Sequence, residues 1–237
     1  MCGRYGFFTR PWSIAKRLGA SVDEALPFSP KFNIAPTQPV MAITNDDARS
    51  LVELRWGLVP RWAKSPADVR LSTFNARIET VATAQTYRDP TRERRCLILA
   101  DGFYEWRRKD DGSKTPLWIH RKDGEPFAFA GLWDVWRRGR EELASCTIIT
   151  TAANDFMRET HSRMPVVLDD ELAREWLTPE AIDPAAALAM LVPSESADAW
   201  TMHPVSRRVG NVRNDDPSLI EPEIEPETTA RGSLFAP

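Results

Sequence analysis

The sequence predicts an α+β fold on a largely antiparallel sheet, closed or sandwich-like. Strand patterns outnumber helical ones. Neighbouring strand patterns are often joined by short turns, which antiparallel pairing permits and parallel pairing does not. The chain has 237 residues, which suits one large globular domain or two small ones. At that size folding buries roughly 70–75% of the unfolded surface, so no covalent staple is needed.

The elements follow in chain order. "PWSIAKRLGA" has Pro at its start and Gly near its end, and reads as a helix. "FNIAPTQPVMAIT" is a Pro-punctuated loop running into a strand, and "SLVELRWGLVP" is a strand closed by Pro60. "NARIETVATAQTYRDP" is helical by spacing, through Ile78, Val81, Ala82, Gln85 and Thr86, with Pro90 past its end. "RRCLILADGFYEW" begins as a buried strand over 96–100 and then turns at "DG". "KTPLWIHRKDGEPFAFAGLWDVW" reads as a hairpin: a strand, a "KDGE" turn and a second strand. "ASCTIITTAAN" is another buried strand. "NDFMRETHSRMPVVL" starts as a short helix behind Asn/Asp and continues as a strand after Pro165. "DDELAREWL" and "DPAAALAMLV" are helices with acidic first turns. After Ile220, "EPEIEPETTARGSLFAP" is acidic and Pro-spaced, the composition of a solvated, disordered tail.

Net charge is −3, but it is uneven. Asp215, Asp216, Glu221, Glu223, Glu225 and Glu227 crowd the end of the chain with Arg231 as the one base there. Residues 1–213 are slightly basic without them. Arginine, the better fork for phosphate oxygens, supplies most of the bases. This balance permits nucleic-acid binding by a local patch without demanding it. Nine tryptophans exceed what a core of this size takes, and some can offer bases a stacking face. The three cysteines, Cys2, Cys96 and Cys146, are widely spaced with no C-x-x-C, so no disulfide framework or zinc ribbon is expected and the compartment reads as reducing. The N-terminus lacks an apolar signal region, and no run of 18 apolar residues occurs. A cytoplasmic location is the expectation, with no membrane partner.

Four residues stand out for chemistry. Cys2 is either a small hydrophobe or, once Met1 is removed, a 1,2-aminothiol. A free α-amine has a pKa of about 7.7–8.0 against about 10.4 for lysine, so far more of it is unprotonated near neutrality. It can condense with an aldehyde to an imine, which the thiol of the same residue then closes to a five-membered thiazolidine. With Met1 retained the nitrogen is an amide and this route is shut. Glu105 in "DGFYEW" is either a surface loop glutamate or a carboxyl walled by Phe103, Tyr104 and Trp106 and suited to proton transfer. His161 sits at a helix-to-strand junction, where it can relay a proton. The three histidines are dispersed in sequence, so no metal site is expected. Asn75 fits a helix N-cap, and its amide could also be aimed at a substrate or at the chain terminus. Each of the four has an arginine two residues later: Arg4, Arg77, Arg107 and Arg163. In an extended segment such pairs share a face, and a ring of arginines suits a phosphate-bearing substrate.

"MCGRY", "NIAPTQ", "RWGLVPRWA", "NARIET", "RCLILADGFYEW", "AGLWD", "TIITTAAN", "HSRMPVVL" and "HPVSRRVGNV" occur in one order. That ordered set resembles the SOS-response-associated-peptidase (SRAP) family over about residues 2–222. The resemblance implies one SRAP domain there, with a mostly antiparallel, β-barrel-like core and peripheral helices, and an acidic tail over 223–237. It implies an enzyme that captures abasic sites in single-stranded DNA as a covalent DNA–protein crosslink, shielding the lesion in the response to DNA damage, with no cofactor or metal. Cys2 is then the crosslinking residue, Asn75 orients the terminus, and Glu105 and His161 are the acid/base groups. Arg4, Arg77 and Arg163 look like phosphate contacts, Trp106 resembles a stacking tryptophan, and Trp62 and Pro36 match positions beside the DNA groove. Arg107 has no matching role. The implied partner is single-stranded DNA bearing abasic sites, and the expected state is a monomer that joins the nucleoid when bound to damaged DNA. Autoproteolytic removal of Met1 fits the same picture. Two other readings stay open: a thiol peptidase with Cys2 as nucleophile and His161 as base, and a non-covalent single-strand-binding module in which Cys2 is incidental. A metal-dependent nuclease is weaker, for want of clustered ligands.

Overall fold

A computed structural model describes residues 2–23, 25–46, 48–69, 71–191 and 197–223, the side chains of residues 71 and 72 excepted. Met1 and, from residue 224 on, the acidic tail lie outside the described residues. The strands are β1 (Tyr5–Phe7), β2 (Lys31–Ile34), β3 (Pro39–Thr44), β4 (Leu51–Trp56), β5 (Asn75–Arg77), β6 (Arg95–Ala100), β7 (Gly102–Arg108), β8 (Lys114–Arg121), β9 (Phe127–Arg138), β10 (Glu141–Ala152), β11 (Arg163–Pro165) and β12 (Trp200–Pro204). The helices are α1 (Pro11–Arg17), α2 (Ile78–Val81), α3 (Arg88–Glu93), α4 (Asp155–Arg158), α5 (Asp170–Trp176) and α6 (Pro184–Met190).

Five strands close on themselves in the order β10-β4-β3-β6-β9, with β9 pairing β10 again to complete the ring. A closed ring leaves no free edge in the barrel core. β10 is its hub. It pairs β9 over most of its length, then carries β5 on one border and β11 on the other at its far end. A second sheet runs β12-β8-β7-β1-β2. Both sheets are antiparallel except where β4 and β5 run parallel to β10. All six residues of β6 are buried, as a strand needs when both its faces are covered.

Several sequence expectations change here. "KTPLWIHRKDGEPFAFAGLWDVW" is not a hairpin: β8 belongs to the second sheet and β9 to the barrel. The "KDGE" turn is real, with Gly124 N–H donating to Arg121 O at 3.1 Å. It is used to change sheets, and local turn chemistry is the same in both cases. Hairpins do form at β3–β4, β7–β8 and β9–β10. "DG" at 101–102 is a second such corner, held by the buried Asp101 carboxylate, which accepts from Phe8 N–H at 2.6 Å and Thr9 N–H at 2.9 Å. Gly102 is required just after it, because a Cβ there would lie 2.3 Å from Trp118 Cζ2. The helix expected from Asn75 is one turn only, Ile78–Val81: Asn75, Ala76 and Arg77 form β5, and Pro90, expected past its end, lies inside a separate helix, α3. The strand expected after Pro165 instead ends there.

Arg95 ties the helical layer to the barrel. It is fully buried, and its guanidinium donates to Trp176 O, Arg92 O, Thr178 O and Glu180 O. Burial pushes its pKa down to about 10, opposed by Glu180, so it stays charged at neutral pH. Arg95→Leu is expected to lower stability by about 3–5 kcal/mol, roughly one per abandoned hydrogen bond. Urea titration should show the midpoint falling at unchanged slope.

Candidate functional site

The site begins at Cys2, which is completely buried. Its carbonyl accepts a 2.7 Å hydrogen bond from Asn75 Nδ2. Asn75 reaches it because β5 lies parallel against β10, with Asn75 opposite Ile148. The asparagine is therefore not a helix cap. Its backbone is strand and its amide is turned on the chain terminus. The Cys2 thiol faces Arg4 O at 3.8 Å. Burial pushes that thiol up, and the nearby Glu105 carboxylate adds to the shift. Glu105 is itself buried, at 4% exposure, so the alternative of a surface loop glutamate is gone.

Alternation along β7 corrects one detail. Phe103 packs in the main core, while Tyr104 and Trp106 pack into a separate cluster with Trp118, Val205, Val209 and Leu219. Successive side chains of a strand take opposite faces, so Glu105 shares its face with Phe103 and not with Tyr104 or Trp106. Trp106 is half-buried in that other cluster.

His161 is half-exposed in the segment leading into β11. Its Nδ1 accepts from Arg163 N–H at 2.9 Å. The same Nδ1 also lies 3.2 Å from Arg163 O, so the Arg163 backbone offers this nitrogen both a donor and an acceptor. The other two histidines are together, not dispersed: His120 and His203 stand on adjacent strands with ring centroids 5.5 Å apart.

The arginines differ. Arg77 is exposed at the end of β5, opposite Thr150. Arg163 comes from the other border of β10; it pairs with Glu79 and donates to Thr150 O at 2.6 Å. The hydrogen bond from its guanidinium holds the Glu79 carboxyl below the usual range. Arg4 points the other way from Cys2. Its fork donates to Asn33 Oδ1 at 2.9 Å, Val209 O at 2.6 Å and Gly210 O at 3.2 Å. The shared face expected from the i, i+2 spacing fails here because residues 2–4 are irregular and β1 starts only at Tyr5. Arg107 is half-buried on the Glu105 side of β7.

Trp62 is 54% exposed and lines a cleft with Pro60, Lys64 and Tyr87. Pro36 lines a smaller hollow with Arg55 and Trp56, and the two share Val69 and Thr73. Pro36 leads a turn whose next residue, Thr37, has φ +78°, a strained setting for a β-branched side chain. The sequence reading missed Asn33. It is 2% exposed and bonded through its whole amide, and its one signal was its place at the head of "NIAPTQ".

A mixed α+β barrel with a cysteine at chain position 2, clamped by an asparagine beside a buried glutamate, defines the class. The family model for SOS response associated peptidase (SRAP) matches residues 1–212, and the chain belongs to that family. Among relatives, "Abasic site processing protein YoqW" of Bacillus subtilis is 40% identical over 226 residues, covering 93% of this chain and 99% of its own. "Abasic site processing protein YedK" of Escherichia coli is 31% identical over 227 residues, covering 94% and 100%. A solved structure from Bacteroides thetaiotaomicron superposes with a TM-score of 0.82 at 24% identity, over 94% of this chain and 100% of its own, which supports the fold alone. No helix among the described residues is long and apolar enough to cross a membrane.

Proposed function

We propose that this protein processes abasic sites in single-stranded DNA by capturing them covalently on Cys2 once Met1 is removed. The observation that carries the reading is the 2.7 Å clamp of Asn75 on the Cys2 carbonyl, made beside a buried glutamate. It fixes the residue that would bear both amine and thiol. The names of the relatives point to the same lesion.

The ring-opened deoxyribose offers an aldehyde at C1′. The Cys2 amine adds to it, and the carbinolamine loses its hydroxyl as water, leaving an imine. The sulfur then adds to C1′ while its proton moves to a nearby base and the ring nitrogen becomes neutral. One water leaves overall, and N, Cα, Cβ, S and C1′ form the ring. Glu105, buried near the Cys2 thiol, takes and returns the amine and thiol protons in this reading. His161, half-exposed at the lead into β11, suits proton donation to a sugar oxygen. The amine acts first and sulfur closes second, because the ring can close only onto an imine carbon that the amine has already made. A single strand fits a buried terminus better than a duplex, which must unstack at a cost of a few kcal/mol.

The test is to mix the protein with single-stranded DNA carrying one abasic site, heat it in denaturant and run a gel. A shifted band without borohydride is expected, with intact mass showing Met1 absent. A shift seen only in native gels would instead favour a binding module, and turnover of unrelated peptides a thiol peptidase.

Arg77 and Arg163 suit the flanking phosphates, with Trp62 and Pro36 beside the DNA and Trp106 as a stacking face. Glu79 then competes with phosphate for Arg163. Its carboxyl is held low, so this competition is complete above its ordinary pKa and is lost as pH falls through the lowered value. Glu79→Gln should tighten single-strand binding roughly threefold, the scale of an exposed ion pair. It should also steepen the salt dependence by up to about 0.7, one phosphate's share. Anisotropy titrations over a salt series read both.

A further inference from the structure

We infer that Asn33 is a positioning residue, through which the C-terminal segment 205–215 holds the reactive end of the chain in place. The inference rests on Cys2 being the capturing residue and concerns what keeps it there.

Arg4 fixes Cys2 on its backbone side, because Arg4 O faces the thiol and also accepts from Tyr104 N–H at 2.9 Å. The Arg4 side chain is in turn held only partly by its own sheet. Two of its three hydrogen bonds go to carbonyls more than 200 positions away, Val209 O and Gly210 O. The third goes to Asn33 Oδ1.

Asn33 sits where these lines meet. Its Nδ2 has two N–H groups facing three carbonyls, Val209 O at 3.2 Å, Asn211 O at 3.1 Å and Asn214 O at 2.8 Å, so one N–H is shared between two of them. Its oxygen faces a guanidinium and its nitrogen faces three carbonyls, so the amide has one orientation. The segment is fastened again at Asp215, whose Oδ1 accepts from Phe32 N–H at 2.6 Å and Asn33 N–H at 3.2 Å. Without Asn33, Val209 O keeps only its Arg4 contact, while Asn211 O and Asn214 O lose the bonds described.

Misplacing a reacting group by about 1 Å can cost about 100-fold in rate. Asn33→Ala should therefore slow the maximal single-turnover rate of adduct formation by about 10–100-fold. Affinity for single-stranded DNA carrying a tetrahydrofuran site, which has no aldehyde, should stay within about twofold, and its salt slope should not change, because Asn33 meets no phosphate. A second readout does not depend on the capture chemistry. All three cysteines are fully buried, so native alkylation by iodoacetamide should leave all of them slow in the wild type. In Asn33→Ala, Cys2 alone should be labelled about tenfold faster or more, as local opening requires. Asp215→Ala, at a partly exposed position, should move both readouts the same way by less.

Unchanged labelling of Cys2 would overturn the inference. So would labelling of Cys96 and Cys146 together with Cys2, which marks general loosening. If the wild type forms no adduct at all, the capture reading fails, and the labelling result still decides whether Asn33 holds Cys2.

Discussion

Cys2→Ala should form no heat-stable adduct with single-stranded DNA carrying an abasic site, while still binding the tetrahydrofuran analogue with affinity close to wild type. The variant keeps an α-amine once Met1 is off, so it can still form an imine. That imine lacks sulfur to close it and hydrolyses on heating. Borohydride should trap it as a reduced adduct that the gel then retains. Cys2→Ser is the intermediate case, because its hydroxyl is a poorer nucleophile than a thiol, and weak, labile capture is the most it should show. An undiminished heat-stable band in Cys2→Ala would mean that the ring is not the product. Loss of analogue binding in the same variant would mean that Cys2 matters for the fold and not for chemistry.

Glu105→Gln should slow adduct formation by about 10²–10⁴-fold, the range for a positioned acid/base group. Two effects oppose each other at this position. The carboxylate raises the Cys2 thiol, second only to burial, so removing its charge makes the thiolate easier to form. The same change removes a group able to carry protons between amine, carbinolamine and sulfur. Glutamine keeps the shape and loses the proton chemistry. A slower reaction means that proton transfer dominates, whereas a faster one would assign Glu105 a purely electrostatic role. Rapid-quench kinetics separate the two outcomes, with binding to the tetrahydrofuran analogue as the control.

Much of this was legible in the chain itself. Buried strands such as 96–100 announce themselves by composition, and helix starts such as Asp169 and Asp183 by their capping side chains, which do accept from the first-turn amides. The ordered motifs marked Cys2, Asn75 and Glu105 before any geometry was available. What the chain hid was long-range. "KDGE" has the chemistry of a turn, and no local signal says whether the strands on either side pair or part. Asn75 precedes a good helical pattern, yet β10 claims it as a strand partner. Arg4 looks like a phosphate ligand from its position in a motif. Only the fold reveals that its fork lies on carbonyls at 209 and 210. The face taken by Trp106 depended on register, which shifts with a single residue.

The bond from Arg4 to Val209 O spans a sequence separation of 205 residues, and this sets an order in time. Domains emerge from synthesis N-terminal end first at about 5–20 residues per second. Cys2 therefore leaves the ribosome about 10–40 s before the segment that fastens its neighbour exists. Through that interval β1 lacks β7 as well, since its partner strand begins at Gly102. An unfinished chain can already carry the Asn75 clamp but not the fastening of Arg4, and a truncated product ending before residue 209 would lack that fastening permanently. The full support of Cys2 thus waits until translation has reached the far end of the domain.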